Sequence, residues 1–257
     1  MNILMIGDVV GSAGCQKLRK HLPELKRVYQ SDVTVVNGEN SADGNGITPD
    51  SACHIFDSGA DVITGGNHSF RRREIYAEYE RNEYLLRPAN YPDAAPGSGL
   101  CIVDKGRYQI GVINLMGQVY LQATRCPFEL ADRLVGKARD NGCKVIVVDI
   151  HAEATSEKKA LAYYLDGKVT AVLGTHTHVQ TADARLLPKG TAYISDVGMC
   201  GPYESVLGVC AEQSIALLKE KLPVRFSVAD GPCQLDGVSV SVEPTTGRAT
   251  AIETFSL

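Results

Sequence analysis

The stretch Ala171-Val172-Leu173-Gly174-Thr175-His176-Thr177-His178 combines a strand pattern with two potential metal ligands. Its apolar start is typical of a buried strand, which Gly174 interrupts. Side chains alternate faces along an extended backbone, so we expect His176 and His178 to point the same way. Two neutral imidazoles that converge at a strand end form half of a metal site. A pair of polar loop histidines is the alternative interpretation.

The composition is that of a soluble globular protein. The 257 residues are 44% hydrophobic and 22% charged, and a chain of this length buries a sizeable core. The formal net charge of −4 argues against a broad nucleic-acid or anionic-membrane surface. It does not exclude a small anionic substrate, because bound metal ions would reverse the local charge. Without a bilayer-spanning run or a basic leader, we expect a cytoplasmic protein with no membrane partner and no stable nucleic-acid complex.

Strand and helix patterns alternate along the chain. Strands are predicted at 2–7, 33–37, 61–64, 100–104, 109–114, 144–150, 171–173 and 191–195. Helices are predicted at 16–28, 49–58, 71–81 and 129–141, and the tail from about residue 229 alternates like antiparallel strands. The first part of this order predicts a parallel sheet covered on both faces. No repeat or linker divides the chain, so we expect a single domain over residues 1–257.

Polar side chains follow five of the predicted strands. In open α/β sheets, ligands bind beyond the carboxyl ends of the strands. The residues at these ends are Asp8, Glu39 with Asn40, Asn67 with His68, His151, and His176 with His178. The other two histidines, His21 and His54, fall within predicted helices and are interpreted as surface or packing residues. Because Asp, Asn and His are common in turns, a chance accumulation is the alternative.

The donor types constrain the metal. Carboxylate, amide and imidazole donors without a thiolate suit Mn, Fe or Zn better than a cysteine-rich structural zinc site. Seven candidate ligands are too many for one ion, so we expect two ions with Glu39 as a bridge. Metal pairs of this kind, about 3.5–4 Å apart, commonly hydrolyse phosphate esters.

Three features outside the ligand set also bear on function: the cysteines, an arginine run and the glycine-rich stretch near the N-terminus. The eight cysteines include no C-x-x-C pair, so we expect reduced thiols. Cys15 lies near a predicted helix N-terminus, where the pKa of a thiol can fall, and an inert buried thiol is the alternative. The Arg71–Arg73 run could contact an anionic substrate or form a solvated face. The stretch 7–14 lacks the G-x-G-x-x-G spacing, which excludes a nicotinamide-binding loop.

The sequence resembles the calcineurin-like metallophosphoesterases, and within them the YmdB-like subgroup. The resemblance runs almost end to end and rests on the stretches 7–11, 37–40, 66–68, 151–158, 174–179 and 196–202. The wider superfamily usually has a histidine where this chain has Val10, and the Glu39-Asn40 pair of the subgroup supplies the missing ligand. The chain departs from the subgroup at Cys15, where an arginine is expected, and at 69–71, where Thr-Trp-Asp is more common. We expect both departures near the rim of the active site.

This resemblance implies a four-layer α/β/β/α sandwich of two facing mixed sheets, in which the tail completes the second sheet. It implies one metal held by Asp8, Glu39, Asn40 and His178, and a second held by Glu39, Asn67, His151 and His176. His68 would donate a proton to the leaving oxygen. The implied activity is hydrolysis of phosphodiester bonds, with cyclic nucleotides as substrates, by a metal-bridging hydroxide. The implied metals are Fe or Mn, and the implied assembly is a cytoplasmic homo-oligomer.

Two other functions remain open at this point. A phosphomonoesterase could use the same metals. A metal-stabilised nucleotide-binding regulatory protein would use the site for binding alone. The complete ligand set and His68 favour catalysis.

Overall fold

The fold is described from a computed structural model that covers residues 1–122 and 125–257. Its strands are β1 (Asn2–Ile6), β2 (Asp8–Val9), β3 (Val33–Asn37), β4 (Val62–Thr64), β5 (Leu100–Asp104), β6 (Gln109–Met116), β7 (Val145–His151), β8 (Ala171–Thr175), β9 (Arg185–Leu186), β10 (Ala192–Ile194), β11 (Met199–Pro202), β12 (Cys233–Glu243) and β13 (Arg248–Ser256). Its helices are α1 (Gly11–Val28), α2 (Pro49–Asp57), α3 (Tyr76–Arg81), α4 (Pro127–Asp140), α5 (Thr155–Leu165) and α6 (Ala211–Glu220).

The strands form two facing sheets. The first has the order β2-β11-β12-β1-β3-β4, with β13 beside β12, and the second has the order β5-β6-β7-β8-β10-β9. Strands β1, β3 and β4 are parallel to one another, as are β6, β7, β8 and β10. Antiparallel strands complete both sheets, so each is mixed, and the purely parallel sheet predicted for the first part of the chain is only partly correct.

Three apolar clusters fill the spaces between the layers. Residues such as Met5, Val35 and Val147 pack between the two sheets. Leu18, Leu22 and Ile55 on α1 and α2 pack against the outer face of the first sheet. A third cluster joins α4 and α5 to the outer face of the second sheet. The four-layer α/β/β/α sandwich is therefore confirmed.

The expectation that the tail completes the second sheet is wrong. Strand β12 pairs antiparallel with β1, from Asn2 opposite Ser241 to Ile6 opposite Gly237, and β13 continues the first sheet beyond it. The side of β1 away from β3 carries buried backbone groups that require hydrogen-bond partners. Strand β12 supplies them and places Val238 and Val240 in the core between the sheets.

The helices agree with prediction in part. Helix α1 begins five residues before the predicted start at residue 16. The predicted helix at 71–81 is a short 3₁₀ turn at Arg73–Ile75 followed by α3, and Ile75 and Tyr79 in this segment are buried. Helices α5 and α6 were not predicted. None of the described helices is both long enough and apolar enough to cross a bilayer.

Candidate metal centre

Five segments that follow parallel strands meet at one edge of the sandwich. The first sheet contributes Asp8 after β1, the residues 39–40 after β3 and the residues 67–68 after β4. The second sheet contributes His151 at the end of β7 and the residues 176–178 after β8. Contacts join the two groups: His151 Nε2 lies 3.4 Å from Glu39 Oε1, and the backbone N–H of His176 donates to Asp8 Oδ2 over 3.0 Å.

One side of this cluster contains the residues expected to hold the first metal. His178 Nε2 lies 3.6 Å from Asp8 Oδ1 and 3.2 Å from Asn40 Nδ2. Asn40 Nδ2 also donates to Glu39 Oε1 over 3.0 Å. The four side chains therefore form a continuous group.

The other side contains the residues expected to hold the second metal. His151 Nε2 lies 3.0 Å from Asn67 Oδ1 and 3.1 Å from His176 Nδ1. Donor atoms of Glu39, His151 and His176 all lie within 4.8 Å of one another, which is close enough to share an ion. Glu39 therefore contacts residues on both sides of the cluster.

Gly66 leaves the space in which Glu39 and His151 approach each other. A Cβ atom at this position would lie 2.2 Å from Glu39 Oε2 and 2.3 Å from His151 Nε2. Any larger residue would displace both side chains. The close approach of these two side chains therefore requires glycine at position 66. This requirement could not be recognised from the sequence alone.

The two histidines of the H-x-H stretch reach the site by a bend, and not by strand alternation. Strand β8 ends at Thr175, and His176 and His178 have φ values of +103° and +63°. Such left-handed conformations cost non-glycine residues of order 1–3 kcal/mol and persist where surrounding contacts hold them. Here the N–H and Oγ1 of Thr177 both donate to Asp196 Oδ2, over 2.9 and 2.8 Å.

The buried carboxylates of the site require positive charge. Asp8 and Glu39 are almost completely buried, and Asp8 Oδ1 has no hydrogen-bond partner among the described residues. Burial alone would raise the pKa of Glu39, but His151 and His68 hold it well below its ordinary value. Two buried carboxylates with an orphaned oxygen beside three imidazoles fit a cation-binding centre.

The neighbouring imidazoles have pKa values shifted in opposite directions. Burial would lower the pKa of His151, but the carboxylates of Glu39 and Asp8 raise it to about 9. Burial and the positive charge of His151 lower the pKa of His176 to about 3. Without an ion, one ring therefore carries the charge that the carboxylates require, while the other stays neutral and able to ligate.

Side chains behind the ligands orient the rings, and these residues were missed by sequence reasoning. Thr175 Oγ1 donates to Asp149 Oδ1 over 2.7 Å and lies 2.9 Å from His151 Nδ1. It therefore accepts the Nδ1 proton and leaves Nε2 facing Glu39. Glu153 Oε2 lies 3.0 Å from His176 Nε2. Burial raises the pKa of Asp149 to about 6, although the Thr64 and Thr175 hydroxyls donate to it.

A cavity of about 1370 Å³ opens above the cluster, and His68 forms part of its wall. His68 Nδ1 lies 2.7 Å from Asn40 Oδ1 and 3.1 Å from Glu39 Oε1. The backbone N–H of His68 donates to Glu39 Oε2 over 2.9 Å. These contacts fix one edge of the ring on the ligands. Nε2 of this ring has no hydrogen-bond partner among the described residues.

The structure also places the cysteine, the arginine run and the helical histidine that the sequence analysis singled out. Cys15 lies on the buried face of α1 and does not line the cavity, and burial raises the pKa of its thiol to about 11, which agrees with the interpretation as an inert thiol. Arg71 and Arg72 line the cavity, and Arg72 pairs with Asp43 over 3.3 Å. His54 Nε2 lies 3.1 Å from the carbonyl oxygen of Cys15, in agreement with a packing role.

Solved structures with this architecture define the class of protein. A 5′-nucleotidase precursor from Thermus thermophilus has the same fold, with a TM-score of 0.61 and 14% identity over 100% of this chain and 54% of that chain. A structure described as a novel phosphatase from Mycoplasma pneumoniae is 36% identical, with a TM-score of 0.94 over 100% of this chain and 93% of that chain. The fold is that of the metallophosphoesterases.

Sequence comparison narrows the class to one family. The family described as YmdB-like protein matches residues 4–255. A 2′,3′-cyclic-nucleotide 2′-phosphodiesterase from Bacillus subtilis (strain 168) is 47% identical over 253 residues, which cover 98% of this chain and 96% of the relative. The chain belongs to the YmdB-like family of metallophosphoesterases. The prediction of a phosphodiesterase-type enzyme is confirmed, and membership implies a divalent metal.

Proposed function

We propose that this protein hydrolyses the phosphodiester bond of small cyclic nucleotides at a centre of two metal ions. The observation that carries the proposal is the group of two buried carboxylates and three imidazoles around Asp8 Oδ1, which has no hydrogen-bond partner among the described residues. The activity named for the Bacillus subtilis relative, at 47% identity, supports the cyclic-nucleotide substrate.

The residues divide into two ligand sets that share Glu39. Asp8, Asn40 and His178 would complete the first set, and Asn67, His151 and His176 would complete the second. The mixed oxygen and nitrogen donors suit Fe or Mn. The amide nitrogen of Asn40 faces Glu39 and His178, so coordination through its oxygen requires the amide to rotate.

Metal ions bound in this way supply an activated water and electrostatic stabilisation of the phosphoryl oxygens. His68 contributes the proton that the departing oxygen requires. Glu39 Oε1 lies 3.1 Å from Nδ1 of this ring, and His68 lines the cavity, so we assign Nε2 as the proton donor. General-acid catalysis of this kind is typically worth about 10²–10⁴ in rate.

Replacement of His68 separates catalysis from metal binding. His68→Ala is expected to retain both metals and to lose about 10²–10⁴ in kcat for 2′,3′-cyclic AMP. Asp8→Ala is expected to lose metal itself, and His21→Ala, on the outer helix α1, serves as the unaffected control. Metal analysis beside steady-state kinetics makes the test, and depleted metal in His68→Ala would contradict the proton-donor role.

The same preparation separates the alternative functions. Faster turnover of a nucleoside monophosphate than of the cyclic diester would favour the phosphomonoesterase, a possibility kept open by the phosphatase description of the Mycoplasma pneumoniae structure. Binding of the cyclic nucleotide by metal-loaded protein without turnover would favour the regulatory protein. We further propose that the protein is a cytoplasmic homo-oligomer that forms no stable nucleic-acid complex. Light scattering tests the oligomeric state.

A further inference from the structure

One wall of the metal-site cavity carries an aromatic ring that the ligand cluster does not use. Residues 225–228, between α6 and β12, line the cavity together with the ligands' loops, and 225–227 have no regular secondary structure. Phe226 is 46% exposed and belongs to none of the three apolar clusters found in the described residues. Phe226 is therefore the one aromatic ring of the Phe, Tyr or Trp type among the described residues that line this cavity, whose wall also carries polar, charged and aliphatic side chains.

The backbone beside Phe226 is held in place. The N–H of Ser227 donates to Gln213 Oε1 over 2.7 Å, and Gln213 Nε2 donates back to Ser227 Oγ over 2.8 Å. The carbonyl oxygen of Ser227 accepts from the N–H of Cys210 over 3.1 Å. These contacts attach the segment to the start of α6.

Val228 anchors the segment to the loops that carry the ligands. Its methyl groups occupy space left by Gly11 and Gly44, where an added Cβ would lie 3.0 and 3.1 Å from Val228 Cγ2. Gly11 is the first residue of α1, two residues after the end of β2, which begins at Asp8, and Gly44 lies in the loop after Asn40. The position of the Phe226 backbone relative to the metal centre is thus set in advance of ligand binding.

We propose that Phe226 is the platform on which the nucleobase of the substrate stacks while the phosphodiester occupies the metal centre. This inference rests on the proposed function and specifies how its substrate is recognised. An aromatic ring stacks on any base without hydrogen-bond readout, so the contact favours nucleotides over diesters that lack a base. The cavity, at about 1370 Å³, has room for a nucleoside beside the phosphate.

The test compares a substrate with a base and one without. Metal-loaded protein is assayed with 2′,3′-cyclic AMP and with glycerol 1,2-cyclic phosphate, which has the same five-membered phosphate ring. In Phe226→Ala, the ratio of the two kcat/KM values is expected to fall about 5- to 150-fold in favour of the base-free compound. The loss is expected in KM for 2′,3′-cyclic AMP, because stacking is equal in the ground and transition states.

Two variants serve as controls. Phe226→Tyr keeps an aromatic ring and is expected to keep the ratio. Tyr203→Ala removes an aromatic residue that is 64% exposed and does not line the cavity, and it is expected to change neither substrate. An unchanged ratio in Phe226→Ala, or an equal loss for both substrates, would overturn the proposal while the phosphodiesterase itself stands.

If the wild type hydrolyses neither substrate, the proposed function fails. Base stacking on residue 226 can then still be tested by a binding measurement. The chain contains no tryptophan, so Phe226→Trp would place a single fluorescent reporter in the cavity wall. Quenching by adenosine 3′-monophosphate, but not by glycerol phosphate, in the zinc-loaded protein would support base stacking. Equal response to both compounds would refute it.

Discussion

Lys158 Nζ lies 2.8 Å from Asp196 Oδ2, and both side chains are buried. Lys158 lies on α5, and Asp196 follows β10. The same carboxylate oxygen accepts two hydrogen bonds from Thr177, the residue between the two metal-site histidines. This buried ion pair therefore connects a helix on the outer face of the second sheet to the left-handed bend that positions His176 and His178.

Removal of the lysine is expected to destabilise the protein strongly. Lys158→Ala leaves the Asp196 charge buried without its partner, which typically costs about 3–5 kcal/mol. The adjacent Lys159→Ala is the matched control, because its exposed amino group lies 4.0 Å from Asp183 and such pairs contribute about 1 kcal/mol or less. Urea unfolding of both variants measures the difference, and equal midpoints would show that the buried pair does not stabilise the fold.

Thr175 is expected to control metal affinity through the orientation of His151. Thr175→Val preserves shape but removes the hydroxyl that accepts the Nδ1 proton of His151, and loss of such outer contacts typically weakens metal binding about 10- to 100-fold. Thr64→Val is the control, since its hydroxyl donates to Asp149 without touching His151. Titration of metal-free protein with Mn²⁺ gives both affinities. Equal weakening in the two variants would assign the effect to Asp149 alone.

Glu153 is expected to orient His176 from the solvent side. Its Oε2 lies 3.0 Å from His176 Nε2, which leaves Nδ1 facing His151 and Glu39. Glu153→Ala should raise the metal dissociation constant about 10-fold, and Glu153→Gln should do so less, because the amide oxygen still accepts the hydrogen bond. The dissociation constants come from calorimetry of the two variants. Identical values in both would mean that charge matters and the hydrogen bond does not.

Thiol alkylation is expected to separate the cysteines by burial and to depend on pH. Burial raises the pKa of Cys15 to about 11 and that of Cys101 to about 12, so at pH 8 only about 0.1% or less of either would be the reactive thiolate. Exposed Cys53 should therefore react first with iodoacetamide in the folded protein. Labelling of Cys15 should rise as the pH approaches 11. Peptide mapping by mass spectrometry reads the order, and early labelling of Cys15 at pH 8 would contradict its burial.

Much of the fold could be predicted because it depends on local periodicity. The apolar runs of β1, β3, β7 and β8 mark their own positions, and the glycine, asparagine and histidine residues mark their ends. Helix α5 escaped prediction because its buried face includes Lys158, whose partner Asp196 lies 38 residues away. The pairing of β12 with β1 could not be predicted either, because a strand that alternates valine and serine could add to either sheet.

The candidate site likewise contains residues that the sequence could predict and contacts that it could not. Parallel strands end at one edge, so the strand order alone predicts that residues from Asp8 to His178 meet there. The supporting contacts could not be expected, because they join side chains that are far apart in sequence. Asn37 donates to Asp149, 112 residues away, and Thr175 links Asp149 to the ring of His151.

The sequence by itself determined which side chains converge and what chemistry their donors favour, because strand ends and donor types are local properties. Only the tertiary structure decided how the rings are aimed. His176 and His178 adopt positive φ values where Asp196 holds the bend between them, and Phe226 lines the cavity next to Val228, which packs against Gly11 and Gly44. Those arrangements depend on packing between distant segments, and no periodicity within one segment encodes them.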